Sequence, residues 1–196
     1  MSLSGYLSER LWQPMGAEAD ASWSLDSERS GFEKMESGLN AVARDYARFG
    51  LLIANAGRAN GQQVVDEEWV RQATSPDTAT GSADFYAFHW WTGRSNGQLF
   101  PDGHFMAAGN LGQFVYVAPD RDLVIVRLGD DYGAEGWPSL LAGIAQPAVS
   151  RSRVDVASPT RLGPTPRSTP VCCFAAAAPA GFRVLAPGGL LGSPLN

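Results

Sequence analysis

Residues 104–128 read HFMAAGNLGQFVYVAPDRDLVIVRL, and the order of residue types in this stretch decides the fold. Gln113-Phe114-Val115-Tyr116-Val117 is β-branched and aromatic, while Leu123-Val124-Ile125-Val126 is a near-continuous apolar run. Between them, Pro119-Asp120-Arg121-Asp122 is turn chemistry: proline closes one strand and the aspartates bond nearby backbone. The stretch therefore predicts a β-hairpin. An unbroken apolar run needs cover on both faces, so at least one of its strands lies inside a sheet. Gly109 and Gly112 just ahead of it predict a place where a ligand or another backbone comes close to the strand.

Downstream of the hairpin, Trp137–Val149 predicts an amphipathic helix with Pro138 near its start and Pro147 at its end. Upstream, Phe85–Thr92 (FYAFHWWT) reads as an aromatic strand carrying His89, with Trp90 and Trp91 packing in the core or, with Tyr132-Gly133, lining a substrate cleft. A turn at Ser95-Asn96-Gly97 lets Gln98-Leu99-Phe100 pair back. The broadest apolar face lies on Leu39–Asn55, a predicted helix with Asn40 as N-cap and Gly57 as C′. Asn60-Gly61 predicts a tight turn, and Asp66 predicts the cap of a short helix, EEWVRQAT. Near the start, residues 3–12 have helical spacing after Ser2 or Ser4, with a stop at Pro14 and Gly16. Residues 17–37 are irregular, with Trp23, Leu25 and Phe32 as expected anchors.

Composition divides the chain. Residues 1–149 hold ten basic and nineteen acidic residues, whereas 150–196 hold five arginines, one acid and seven of the thirteen prolines. The second part has no sustained period and reads as a low-complexity, disordered tail, of the kind a shifted reading frame would produce. Adjacent Cys172 and Cys173 read as free thiols, since neighbouring cysteines rarely meet disulfide geometry. A net charge of −5 gives no reason to expect nucleic acid, and no run of eighteen apolar residues predicts a membrane span. The N-terminus lacks the pattern of a signal peptide, which makes the cytoplasm the default expectation.

The block AAGNLGQFVYVAPDRDLVIVRLG resembles the last conserved block of the β-lactamase-related serine hydrolases: penicillin-binding proteins, class C β-lactamases, related esterases and 6-aminohexanoate-dimer hydrolases. GYLSERLWQPMGAEADASWSLDS and GLNAVARDYARFGLLIANAGRANGQQVV resemble two earlier segments of the same family, in the same order. The resemblance covers residues 2–149 and is closest to the 6-aminohexanoate-dimer hydrolase branch. It implies an α+β fold, with antiparallel C-terminal strands packed with helices: a partial β-lactamase/penicillin-binding-protein-like domain over 1–149, followed by the tail. It also implies acyl transfer through S-x-x-K, Y-x-N and Lys-Thr-Gly motifs. Setting Gly109 and Gly112 on the family glycines places His104-Phe105-Met106 where Lys-Thr-Gly would stand.

The nucleophile motifs themselves are not in the sequence. The single lysine, Lys34, follows Ser30 by four residues and Gly31 by three, so no S-x-x-K exists. None of Tyr6, Tyr46, Tyr86, Tyr116 and Tyr132 begins a Y-x-N, and no G-x-S-x-G elbow occurs. In the family both missing motifs precede the segment that Met1-Ser2-Leu3 resembles, so Met1 reads as an internal methionine. The expectation is a C-terminal fragment of a hydrolase of small-molecule amides or esters, inactive alone. The alternative is a non-catalytic degenerate product or a binding module. No catalytic residue is assigned and no cofactor is called for; His89 and His104 with Asp84 and Asp102 form no known metal-ligand spacing. The substrate-facing set implied by the resemblance is His104, Ala107, Gly109, Asn110, Gly112 and Gln113, with the Ala107 N–H near the oxyanion position. The competing reading of His104 is a partly exposed histidine beside Asp102. Apolar faces of the hairpin and of the 39–55 helix are expected to be partly uncovered, leading to self-association or rescue by an N-terminal fragment.

Overall fold

The computed structural model describes residues 1–35, 37–77, 85–95, 98–131 and 136–146, together with the backbone of Arg183–Val184. Asp84, Asn96-Gly97, Tyr132-Gly133, residues 147–149, Cys172, Cys173 and the tail apart from Arg183–Val184 lie outside the described residues.

The chain begins with α1 (Leu3–Leu7), capped by the Ser2 hydroxyl accepting from the Gly5 N–H at 3.1 Å. It runs on as a π-helical segment over Ser8–Trp12, where Gln13 N–H donates to the Ser8 carbonyl at 3.0 Å. Two short strands, β1 (Ser22–Trp23) and β2 (Leu39–Asn40), pair antiparallel. Of the three expected anchors between them, only Trp23 serves. Its indole N–H reaches the carbonyls of Lys34 and of Ser37, the latter at 2.9 Å, while Leu25 and Phe32 are exposed.

The following helix starts four residues later than the apolar pattern predicts. Leu39-Asn40 is taken by the β1 pairing, and α2 spans Ala43–Ala54 with Val42 at the N-cap position. The Asn40 amide donates to the Gly38 carbonyl at 2.9 Å and to the Ser24 hydroxyl at 3.2 Å, so it closes the strand pair instead of capping the helix. At the other end, Ala56 N–H donates to Ile53 O and Gly57 N–H to Leu52 O, the Schellman pattern. The glycine thus sits one place beyond C′, and Ala56 itself takes the left-handed conformation at φ 52°.

The hairpin β3 (Arg58–Ala59) to β4 (Gln62–Gln63) turns at Asn60-Gly61, both at positive φ as a type I′ turn requires. The Asp66 carboxylate accepts from Trp69 N–H at 2.8 Å and caps α3 (Glu67–Thr74), as predicted. The FYAFHWWT stretch departs from the expected single strand. It folds into β5 (Tyr86–Ala87) and β6 (Trp90–Thr92), with Phe88 and His89 forming the turn at φ 46° and 71°. Non-glycine residues there cost on the order of 1–2 kcal/mol each, so no sequence rule would place a turn at Phe-His. His89 is consequently an exposed turn residue. Next come β7 (Arg94–Ser95) paired with β8 (Gln98–Leu99), then β9 (Phe105–Gly109), β10 (Gln113–Ala118) and β11 (Leu123–Arg127).

The main sheet runs β12-β11-β10-β9-β6-β5, with β12 being Arg183–Val184. The predicted hairpin is β10–β11, in register Phe114↔Arg127 through Ala118↔Leu123. Its side chains alternate between two cores. Phe105, Val115, Val117, Val124 and Val126 face α2 and α3, while Met106, Tyr116, Leu123 and Ile125 face α4 (Trp137–Ala145). Helix α2 approaches closely because Gly50 has no side chain: a Cβ there would lie 2.6 Å from a Val124 methyl. The expectation of an uncovered hairpin is therefore wrong, since Val115–Ala118 and all of β11 are buried. Trp90 is buried, stacked on Phe49 at 5.8 Å, and Trp91 packs on the other core. Exposed large apolar side chains include Tyr6, Leu25, Phe32, Met35 and Val42, Trp69, Tyr86 and Phe88, and also Leu111 at the β9–β10 turn and Leu140 on α4.

Candidate functional site

The six residues expected to face a substrate fall at two separate ends of β9. His104 immediately precedes the strand, and Gly109 ends it. At a rise of about 3.3 Å per residue, the two are roughly 16 Å apart.

At the first end His104 is buried, and both ring nitrogens are used. Nδ1 lies 2.8 Å from the Tyr116 hydroxyl and Nε2 lies 2.6 Å from an Asp120 carboxylate oxygen. Asp102, the partner expected from proximity in sequence, is not the one used; Asp120 comes from the β10–β11 turn. This network joins the start of β9, the middle of β10 and that turn. Burial, and secondarily the Asp120 charge, push the Tyr116 phenol well above its ordinary value. A shallow open cleft of about 250 Å³ borders His104, Pro101, Arg121, Ala145 and Gln146. Arg121 there is already held by Asp120 at 3.0 Å. A histidine with both nitrogens engaged has no free atom to offer a substrate.

At the second end the chain turns through Asn110–Gly112, with Leu111 at φ 57° and Gly112 at φ 74°. Glycine at 112 has a reason beyond φ. A Cβ there would lie 2.3 Å from a guanidinium nitrogen of Arg127. Arg127 is buried at the end of an otherwise apolar strand. Its Nη1 donates to the Gly112 carbonyl at 2.5 Å and to the Asp131 carbonyl at 3.2 Å, and its guanidinium carbon lies 4.3 Å above the Trp137 ring. Gln113 adds a second tie, accepting from Gly129 N–H at 3.0 Å and donating to the Gly129 carbonyl. The close approach predicted at the glycines is thus made by an arginine of the same chain. Asn110 and Gly109 are exposed, while Ala107 is half-buried against the α2 core.

Strand β6 meets β9 only at Phe105 and Met106. Among the described residues, no strand pairs with Ala107–Gly109 on the side away from β10. Among the described residues this end presents an open backbone edge beside a held loop; at the His104 end a loop is held too, but β9 is paired on both sides.

The Beta-lactamase family model matches residues 1–137. The chain belongs to the β-lactamase family. Among curated proteins it is 30% identical over 151 residues to a 6-aminohexanoate-dimer hydrolase of Paenarthrobacter ureafaciens, covering 70% of this chain and 36% of the relative. It is 28% identical over 149 residues to an uncharacterized protein of Alkalihalophilus pseudofirmus, covering 71% and 44%. Among solved structures it matches a Bacillus anthracis protein whose assignment as a 6-aminohexanoate-dimer hydrolase is provisional, with TM-score 0.50 and 32% identity over 61% of this chain and 30% of that one. The chain spans less than half the length of each of these relatives. Their agreement with the fold makes it that of a β-lactamase-related serine hydrolase, mixed helices on an antiparallel sheet.

Two structural residues of this β-lactamase-family chain were not among those read from the sequence. Asp45 lies on the apolar face of α2, fully buried, and accepts from the backbone N–H groups of Glu18 and Ala19 at 2.9 and 3.1 Å and from Arg48 at 2.9 Å. Its signal is a carboxylate in a helical core position, which must find partners when buried. Arg127 carries the same kind of signal, a charge at the end of LVIV. Among the described residues no group of three His, Cys, Asp or Glu side chains has the closeness a metal site needs.

Proposed function

We propose that this chain forms the strand-and-loop wall of an amide- or ester-hydrolysing acyl-transfer site and does not turn over substrate by itself. The observation that carries this is the sequence: its one lysine is in no S-x-x-K and none of its tyrosines opens a Y-x-N. Without a base beside it, a serine hydroxyl at neutral pH is a poor nucleophile. What the chain does offer is the open edge at Ala107–Gly109. There the Ala107 N–H serves as an oxyanion donor, and Gly109, Asn110, Gly112 and Gln113 shape the cleft. His104 is assigned to holding the β10–β11 turn, since both its nitrogens are occupied.

The partner in this reading is a polypeptide carrying the two missing motifs, whether encoded ahead of Met1 or supplied separately. The first substrate to try is the 6-aminohexanoate dimer, the compound in the relatives' name, alongside a p-nitrophenyl ester. The purified chain should leave both intact over hours. Mixing it with a separately expressed N-terminal portion of a family relative should produce hydrolysis that neither part shows alone. Turnover of either compound by the chain alone would overturn the reading.

A further inference from the structure

Strand β11 is covered on both faces, and all five of its residues are buried. Such burial belongs to an interior strand, yet among the described residues β11 has β10 on one side and only Arg183–Val184 on the other. Its sequence, LVIVR, has no proline and no lysine to discourage pairing at Leu123–Val126. Arg127, its one charge, is turned inward to Gly112 and Asp131.

Strand β12 meets β11 in parallel, Leu123↔Arg183 and Val124↔Val184. Parallel neighbours need a crossover of a dozen residues or more, usually a helix packed on the sheet. Helix α4 is that helix: it follows β11, and Leu141, Ala142 and Ala145 pack on the Ile125 face. In the sequence, Arg183-Val184 stands between the breakers Gly181 and Pro187. The strand, the helix on its face and a short extended segment thus form a β-α-β unit.

We propose that the outer edge of β11 is a strand-docking site and that its occupant is the tail strand Arg183–Val184 of the same chain. The tail then covers the outer edge of the buried hairpin and keeps it from pairing with a second copy. This does not depend on the hydrolase reading and departs, at Arg183–Val184, from the expectation of a disordered tail.

The test is hydrogen exchange on the full chain, read at the Leu123–Ile125 amides that face away from β10. Val184→Pro removes a backbone donor and cannot sit in a paired strand. It should speed those amides about five- to tenfold, the effect of losing one or two backbone hydrogen bonds, and should produce concentration-dependent association in sedimentation. Thr169→Pro, elsewhere in the tail, should change neither. As a second measurement, trypsin should cut the unmodified chain after Arg151, Arg153, Arg161 and Arg167 before Arg183. Exchange in Val184→Pro within twofold of the unmodified chain, an equal change in Thr169→Pro, or cleavage at Arg183 as fast as at the other four would overturn the proposal.

Discussion

The two ends of β9 are built from the same materials and do different things. At each, a buried side chain with several hydrogen-bonding atoms ties a loop to the sheet: His104 holds the Asp120 turn, and Arg127 holds Gly112 and Asp131. At the His104 end the polar atoms close on one another and the β9 backbone is paired on both sides, with β6 and β10. At the Gly112 end the loop is held too, but Gly109 and Asn110 stay exposed beside an edge that is unpaired among the described residues. A held loop beside an open edge can receive a substrate; a closed network cannot. Aligning motif letters puts His104 in the place of a catalytic lysine, whereas its surroundings make it a structural residue.

Substitutions at the two ends should therefore act locally and differently. Arg127→Ala removes bonds to two carbonyls, the stacking on Trp137 and the filling of a buried space. A loss of about 3 kcal/mol is expected in denaturant unfolding, with altered amide signals at 109–113 and unchanged ones at Asp120. His104→Ala leaves the buried Tyr116 hydroxyl without its partner and should cost about 2 kcal/mol, with the opposite pattern of changed signals. The two losses should add within about 0.5 kcal/mol in the double variant, as for sites more than 10 Å apart; strong coupling would break the division into two ends. Gly112→Ala should cost about 1–2 kcal/mol from positive φ alone, and Arg127 must also shift to admit the Cβ.

The pH dependence is a smaller effect and belongs to the His104 end. Tyr116 holds its proton more tightly when folded, because burial raises its pKa above the ordinary value near 10. The stability this reflects is fully present below pH about 10 and is lost as pH rises beyond it, where the unfolded chain ionises and the folded one does not. Ultraviolet titration should show Tyr116 ionising only as the chain unfolds, and Tyr116→Phe should remove that component. Ionisation of Tyr116 in the folded protein near pH 10 would contradict the closed network.

Much of the fold was legible because local chemistry and burial agreed. LVIV predicted a strand covered on both faces, Asp66 predicted a cap and Asn60-Gly61 a turn, and each forms. The departures arise where tertiary contacts overrule local preference. Leu39-Asn40 left the helical pattern because Ser22–Trp23 pairs with it. FYAFHWW folded on itself through two non-glycine residues at positive φ, which no propensity favours. The candidate site was legible only as a position in the chain. That Gly112 makes room for Arg127, and that Asp120 partners His104 from sixteen residues away, are facts of packing that spacing cannot show.

The central claim is that this chain supplies a hydrolase wall without an activated nucleophile, and intact-mass spectrometry after exposure to a fluorophosphonate tests it most directly. The account predicts an unchanged mass for the chain alone after hours with excess reagent. A stoichiometric adduct mapped to any single serine would contradict it, because such labelling requires a base that the sequence motifs do not provide.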